Sequence, residues 1–402
     1  MRFPRKDQIL ECLLIGLWGL APLIWFMPEH MIITTDLHVP VDAHRWIKQL
    51  CAWNSQWGTG FEWSIGFSNL IFSGVSALLS LVLSNIRMVQ QCFFIIWFLL
   101  PGISNWLLAQ ELFPEQRISR LAMVNFYMFN LYHQVLWGGN EAALAAYAAL
   151  PLILWITIKA FRTRRYLFYL GAMGIASLVL SAASMNLPIL VVVLMAWAVL
   201  VLVLVIKERL WSQGKRWVPF VIFLLSSVAL AALCNAFWAA PQAFVNQAKV
   251  SMPAFSSEMI SETKSWLNGM SSYTSLANVV RMQGDWTWFQ GWYEPYRSYS
   301  ALYRSHPAML VFSWFVPLVV LVGALMTRLR YRSAWIGCAV LGVVLSCGVH
   351  PPFGVFYGWL VDHFPFFWVF RSPWFKFTLL TCIGYSILFG EGVRVIARGV
   401  SK

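Results

Sequence analysis

The chain alternates long apolar runs with short polar stretches. Eleven runs approach the ~20 apolar residues needed to cross a bilayer. They lie at roughly 9–27, 65–83, 89–109, 118–136, 141–158, 166–183, 187–206, 218–238, 308–327, 335–349 and 377–393. Basic residues cluster beside several of their ends: Arg2/Arg5/Lys6, Lys159/Arg162/Arg164/Arg165, Lys207/Arg209/Lys215/Arg216, Arg328/Arg330/Arg332 and Arg394/Arg398/Lys402. Such clusters stay on the cytoplasmic side. Eleven full crossings would put the first and last clusters on opposite sides, so one run does not cross. Parity counted back from Lys159 singles out 65–83. Its Gly66, Ser68, Asn69, Ser73, Gly74, Ser76 and Ser80 make it the most polar of the set.

The expectation is therefore an all-α polytopic membrane protein with about ten transmembrane helices. It forms a single domain over residues 1–402, with both termini cytoplasmic and external regions at 28–88, 239–307 and 350–376. Segment 65–83 re-enters or lies at the interface. Two outer stretches, "DWTWFQGWYEPYRSYSALY" and "FPFFWVFRSPWFKF", are dense in aromatics and read as interfacial helices at headgroup level. The first run contains Glu11 and lacks a small-residue cleavage site, so it reads as a retained span.

Composition agrees with this layout. The chain is 59% hydrophobic and 11% charged, with a mean hydropathy of +0.66; a soluble domain carries roughly 25% charged residues. The net charge of +13 does not point to nucleic acid, because loop cations of a membrane protein produce it. The seven cysteines fall mostly inside apolar runs without a close CxxC pair, which argues against a disulfide framework or a zinc site.

Candidate chemistry lies in the outer regions. In "TTDLHVPVDAHRW", Asp36 follows the first span closely, with Pro40 restraining the backbone after it. A carboxylate held there accepts a proton from a sugar hydroxyl, or caps a helix or pairs with Arg45. Asp42 has the spacing of a helix cap. His38 and His44 with the two acids are the one constellation that would suit a divalent metal, though four ligands in nine residues fix no geometry. In "FRSPWFKF", Arg371 and Lys376 are the only cations among eight aromatics between Phe364 and Phe377. They suit a phosphate or pyrophosphate, or ordinary lipid headgroups; Trp374 sits between them, in the interface belt. "LWGGNEAAL" reads as a tight external turn in which Asn140 and Glu141 cap the following helix. "SAASMNLP" is a second short turn whose Asn186 is expected to reach the same cavity.

The order of these features resembles the GT-C superfamily of integral membrane glycosyltransferases, and more narrowly the family containing the mycobacterial α-(1→3)-arabinofuranosyltransferase. The stretches that carry the likeness are "TTDLHVPVD" (34–42), "WNSQWGTG" (53–60), "RLAMVNFYMFNLYHQVLWGGNE" (120–141), "AASMNLP" (182–188) and "FRSPWFKF" (370–377). After Gly60, near the second hydrophobic stretch, where that family has Phe-Pro, this chain reads "SNLIF". Members with outer sugar-binding domains are longer, so the chain reads as a minimal member or a fragment.

The resemblance implies a GT-C-like bundle, a polyprenyl-phosphate sugar donor, a glycan or glycolipid acceptor, and an active site on the outer face of the plasma membrane. Asp36 would be the catalytic base. Arg371, Lys376, Trp374, Asp42, His44, Arg45, Asn140 and Glu141 would be substrate-binding, with no resident metal or cofactor. Direct displacement with one base predicts inversion at the sugar. Asp285, Glu294 and Arg297 are a candidate platform for acceptor sugars. The competing readings are a transporter or lipid-linked sugar flippase, and an enzyme resembling O-antigen ligases that relies on external Arg and His.

Overall fold

The computed structural model describes residues 6–32, 53–54, 61–137, 140–212, 214–250, 257–289, 299–326, 329–364 and 366–400. Its helices are α1 (Lys6–Gly19), α2 (Leu70–Ser80), α3 (Ile86–Leu112), α4 (Arg117–Phe129), α5 (Leu131–Leu136), α6 (Glu141–Thr163), α7 (Tyr166–Leu180), α8 (Leu187–Lys207) and α9 (Val218–Cys234). They continue with α10 (Ala236–Val250), α11 (Ser257–Ser271), α12 (Leu276–Val280), α13 (Ser300–Ser305), α14 (Pro307–Phe312), α15 (Phe315–Met326), α16 (Arg332–Ser346), α17 (Gly354–His363) and α18 (Pro373–Val400). The one described ladder is a two-residue antiparallel pair, β1 (Trp53–Asn54) with β2 (Phe61–Glu62).

Among the described residues, six helical stretches are long and apolar enough to cross a membrane, or seven if the bent pair α9–α10 counts as one. Several apolar runs are interrupted. Run 118–136 breaks at Asn130, whose side chain accepts from the His133 N–H (2.9 Å) and so caps α5. Its amide also donates to the Phe126 and Tyr127 carbonyls ending α4 and to the Tyr147 hydroxyl (2.6 Å). One asparagine thus supplies the partners that a broken backbone inside a membrane requires. Run 65–83 is a 3-10 turn (Ser64–Asn69) followed by the 11-residue α2, shorter than a span. Run 218–238 breaks at Asn235, where α9 and α10 meet at 75°.

The stretch from Tyr166 to Lys207 is 42 residues long, about twice a span. It folds back at a 3-10 turn, Ser181–Asn186. α7 leaves the C-terminal end of α6, and α8 returns beside it, with Trp197 Nε1 donating to Thr157 Oγ1 (2.9 Å).

Two helices organise the core. α6 packs against α3, α7 and α8, and α18 packs against α4, α15 and α16. α18 approaches its neighbours through glycine. A Cβ at Gly323 of α15 would collide with the Leu388 carbonyl, and one at Gly392 with the Val319 carbonyl. Small residues permit such close helix contact. Gly323→Ala should force the pair apart and destabilise the protein by ~1–3 kcal/mol, read as a lowered melting temperature. Gly358→Ala, where a Cβ meets nothing within 4 Å, serves as the control.

The two ends of the bundle differ. One end gathers the cations and their carboxylates: Arg120 with the fully buried Glu11 (2.6 Å), Lys159 (2.6 Å) and Arg162 with Glu111, Arg330 with Glu208 (2.7 Å), and Arg394 with Glu391. Glu11 and Glu391, the acids within apolar runs, are therefore both ion-paired at this basic end. Glu11→Gln should cost ~3–5 kcal/mol by stranding the Arg120 charge, whereas replacing both partners with leucine should cost less. Thermal unfolding of the two variants separates these outcomes.

Candidate functional site

At the end opposite the basic clusters, the connection from α17 to α18 carries the predicted cations. A 3-10 turn, Phe367–Phe370, delivers Arg371, and Pro373 starts α18. Proline at the first helical position has the φ the helix needs and no N–H to lose. The turn is fixed from below: the buried Tyr357 of α17 donates to the Phe370 carbonyl (2.7 Å), and Phe370 stacks on Phe377 (4.8 Å). Phe370, Trp374 and Phe377 are buried, while Phe364 and Phe366 are exposed. The aromatic stretch therefore divides into a buried plug and an exposed lip.

The helix begins earlier than the sequence pattern predicts. Lys376 and Trp374 lie in its first turn, not in an external loop. Lys376 is 7% exposed, its Nζ donating to Asn186 Oδ1 (2.7 Å) and lying over the Phe375 ring (4.9 Å). Arg371 is exposed, its guanidinium over the Trp266 indole at 5.3 Å. Both cations line one cavity of about 420 Å³ with Met185, Asn186, Trp266 and Ser372. Among the described residues, no carboxylate is ion-paired with either. Two cationic side chains that share a cavity without a paired carboxylate give it a positive potential.

α11 forms one wall. Thr263, Leu267 and Ser271, four apart, face inward, and Trp266 reaches across to donate to Ser372 Oγ (3.2 Å). Lys264 of α11 pairs with Asp362 of α17 (2.8 Å), and that ammonium holds the Asp362 carboxyl below the usual carboxylate range. Both partners are half exposed.

The turn Ser181–Asn186 separates this cavity from a second one. Ser181 and Ser184 line an apolar cavity of about 320 Å³ walled by Ile153, Met173, Leu180, Leu194, Trp197 and Ala231, while Met185 and Asn186 line the cationic cavity. The turn is braced by Ser181 Oγ donating to the Ser68 carbonyl (2.7 Å). The apolar cavity reaches the break at Asn235, whose amide donates to the Ala231 carbonyl (2.8 Å) and Ser177 Oγ (3.3 Å) and whose oxygen accepts from Trp238 Nε1 (2.9 Å).

The other predicted residues fall elsewhere. Trp374 does not line the cationic cavity; it is 3% exposed, packed edge-on to Tyr132 (5.6 Å) and against Gly284. It is not the interface-belt residue expected. Asn140 accepts from the Ala143 N–H (3.1 Å) and caps α6 as expected; Glu141 opens that helix. Asp285 is 2% exposed, accepting from the Thr287 N–H (3.0 Å) and hydroxyl, so it is an internal turn residue and not part of an exposed platform. Asp36, His38, Asp42, His44, Arg45, Glu294 and Arg297 lie outside the described residues. The described chain is held just before them: Gln90 of α3 accepts from the Ile32 N–H (2.9 Å) and donates to the Ile32 carbonyl (2.6 Å). Among the described residues no group of three His, Cys, Asp or Glu side chains suits a metal ion.

Comparison with protein-family models, curated proteins and solved structures yields no match to this chain. The reading of the site rests on its own geometry.

Proposed function

We propose that the chain is a GT-C-like membrane glycosyltransferase that moves a sugar from a polyprenyl-phosphate donor to a glycan or glycolipid acceptor. In this reading about ten segments cross the plasma membrane, with the basic end in the cytoplasm and the cationic cavity on the outer face. The observation that carries it is the pairing of two cavities across one turn: two cations without a carboxylate on one side, an apolar chamber on the other. An amphiphile with an anionic head and a hydrocarbon tail matches that division. Nucleotide sugars are confined to the cytoplasm, so an outer-face transferase requires a donor of this kind.

The acceptor oxygen attacks the anomeric carbon as the bond to the phosphate oxygen breaks. The electron pair leaves with the phosphate, which Arg371 and Lys376 neutralise. The acceptor proton passes to Asp36. Asp36 follows the clamped Ile32 by four residues, a reach of at most ~14 Å, which is why the reading puts its carboxylate at the same end. A single displacement inverts the anomeric centre.

One observation favours the flippase reading. α9 and α10 are bent by 75° at Asn235, and broken helices beside a cavity are a transporter device. Purified protein in vesicles with a labelled polyprenyl-phosphate sugar on one face separates the two. Transfer to acceptor without movement of the lipid across the bilayer supports the transferase; movement without transfer refutes it.

A further inference from the structure

The basic end holds a cavity that the proposed reaction does not use. It occupies about 450 Å³ where the start of α1, the end of α3, the start of α4 and the last turns of α6 meet. Two of its cations are already neutralised. Arg120 makes a bidentate pair with Glu11 and also donates to the Phe113 (2.7 Å) and Pro114 (2.9 Å) carbonyls, which fixes the loop forming one wall. Lys159 pairs with Glu111.

Three charged groups around the cavity remain unpaired among the described residues: Arg117, Asp7 and Glu115. Arg117 and Glu115 are two apart and do not meet. The Arg117 Nε–H and the Gln110 side-chain amide are buried donors without an acceptor. Gln116, the residue before α4, provides no side-chain cap, so the positive end of that helix adds to Arg117. Asp7 and Glu115 are exposed carboxylates on the same cavity.

A ligand that satisfies both sets carries an anion and a primary ammonium on one small head. Apolar surface adjoins the polar lining: Trp155 and Leu107 line the cavity, and α1, whose Asp7 and Gln8 line it too, carries Leu10 and Leu13 at 43% and 66% exposure. We propose that this cavity binds the headgroup of an aminophospholipid. The phosphate sits at Arg117, Gln110 and the start of α4, the ammonium at Asp7 and Glu115, and the acyl chains run along α1. Basic pockets between spans commonly take polyanionic headgroups, but the two carboxylates here repel a second negative charge.

Native mass spectrometry of the purified full chain, titrated with phosphatidylethanolamine, phosphatidylcholine and phosphatidylglycerol, tests this. Phosphatidylethanolamine should be retained about tenfold more strongly than the other two, the scale of one charge-assisted hydrogen bond. Combined Asp7→Asn and Glu115→Gln, both exposed and so safe for folding, should erase that preference while leaving phospholipid binding in place. Arg117→Gln should weaken retention of all three by about tenfold. Equal retention of the three lipids by the unaltered chain overturns the proposal, as does preference surviving the double substitution. Displacement of the lipid by millimolar inorganic phosphate would identify a soluble-anion site instead.

Discussion

Asp36→Asn lowers sugar transfer by about 10²–10⁴-fold, the contribution of a positioned general base. The substitution keeps the shape of the side chain and removes only its capacity to take a proton. Donor binding should therefore persist, since the proposed phosphate contacts belong to Arg371 and Lys376, some 335 residues later in the chain. Melting temperature should also persist, because asparagine keeps the size and shape of the side chain. The result to measure is a rate loss with unchanged donor affinity. Transfer at near wild-type rate would remove Asp36 from the chemistry and favour the flippase or a ligase-like use of Arg and His.

Lys376→Met has the second large effect, and its sign on stability sets it apart. A structural lysine would destabilise the protein when removed. Here the ammonium is buried against Asn186 Oδ1 without a carboxylate, so an apolar side chain of similar length relieves a desolvation cost. The melting temperature should hold or rise while transfer falls by about 10²-fold or more, the scale of losing one stabilising donor at a developing charge. Arg371→Ala should act in the same direction with little change in stability, because that side chain is exposed and held by Trp266 alone among the contacts found. Unchanged transfer in both variants would leave the cavity without a role in the reaction.

Much of the fold was legible because bilayer thickness writes itself into run length. The apolar runs predict where helices lie; run 65–83, expected from parity and polarity to re-enter or lie at the interface, holds an 11-residue helix. What the runs concealed were breaks. Asn130 and Asn235 are single polar residues inside apolar segments, and hydropathy averages over them; yet each reorganises the backbone by supplying hydrogen bonds on both sides of an interruption. At the site, Arg371 and Lys376 stood out as cations in an aromatic stretch, and Asn186 as a polar residue in a short turn. Their meeting spans 190 residues and depends on α8 returning beside α6, which no local pattern encodes. Trp374 lies buried and not in the interface belt because α18 starts at Pro373: a proline after Arg-Ser marks either a turn or a first helical position, and only the packing of Trp374 on Tyr132 and Gly284 decides. Trp266 carried a usable signal in the fourfold spacing of Thr263, Leu267 and Ser271, which marks α11 as a helix with one buried face.

The central claim is that a lipid phosphate occupies the cationic cavity with the Asp36 carboxylate beside it. An experimental structure of the full chain with a polyprenyl-phosphate sugar bound tests it most directly. The account predicts phosphate oxygens within hydrogen-bonding distance, ~3 Å, of Lys376 Nζ and the Arg371 guanidinium, the prenyl chain entering the chamber lined by Ser181 and Ser184, and Asp36 on the open side of the sugar ring. A phosphate bound away from both cations, or Asp36 at the basic end of the bundle, would contradict it.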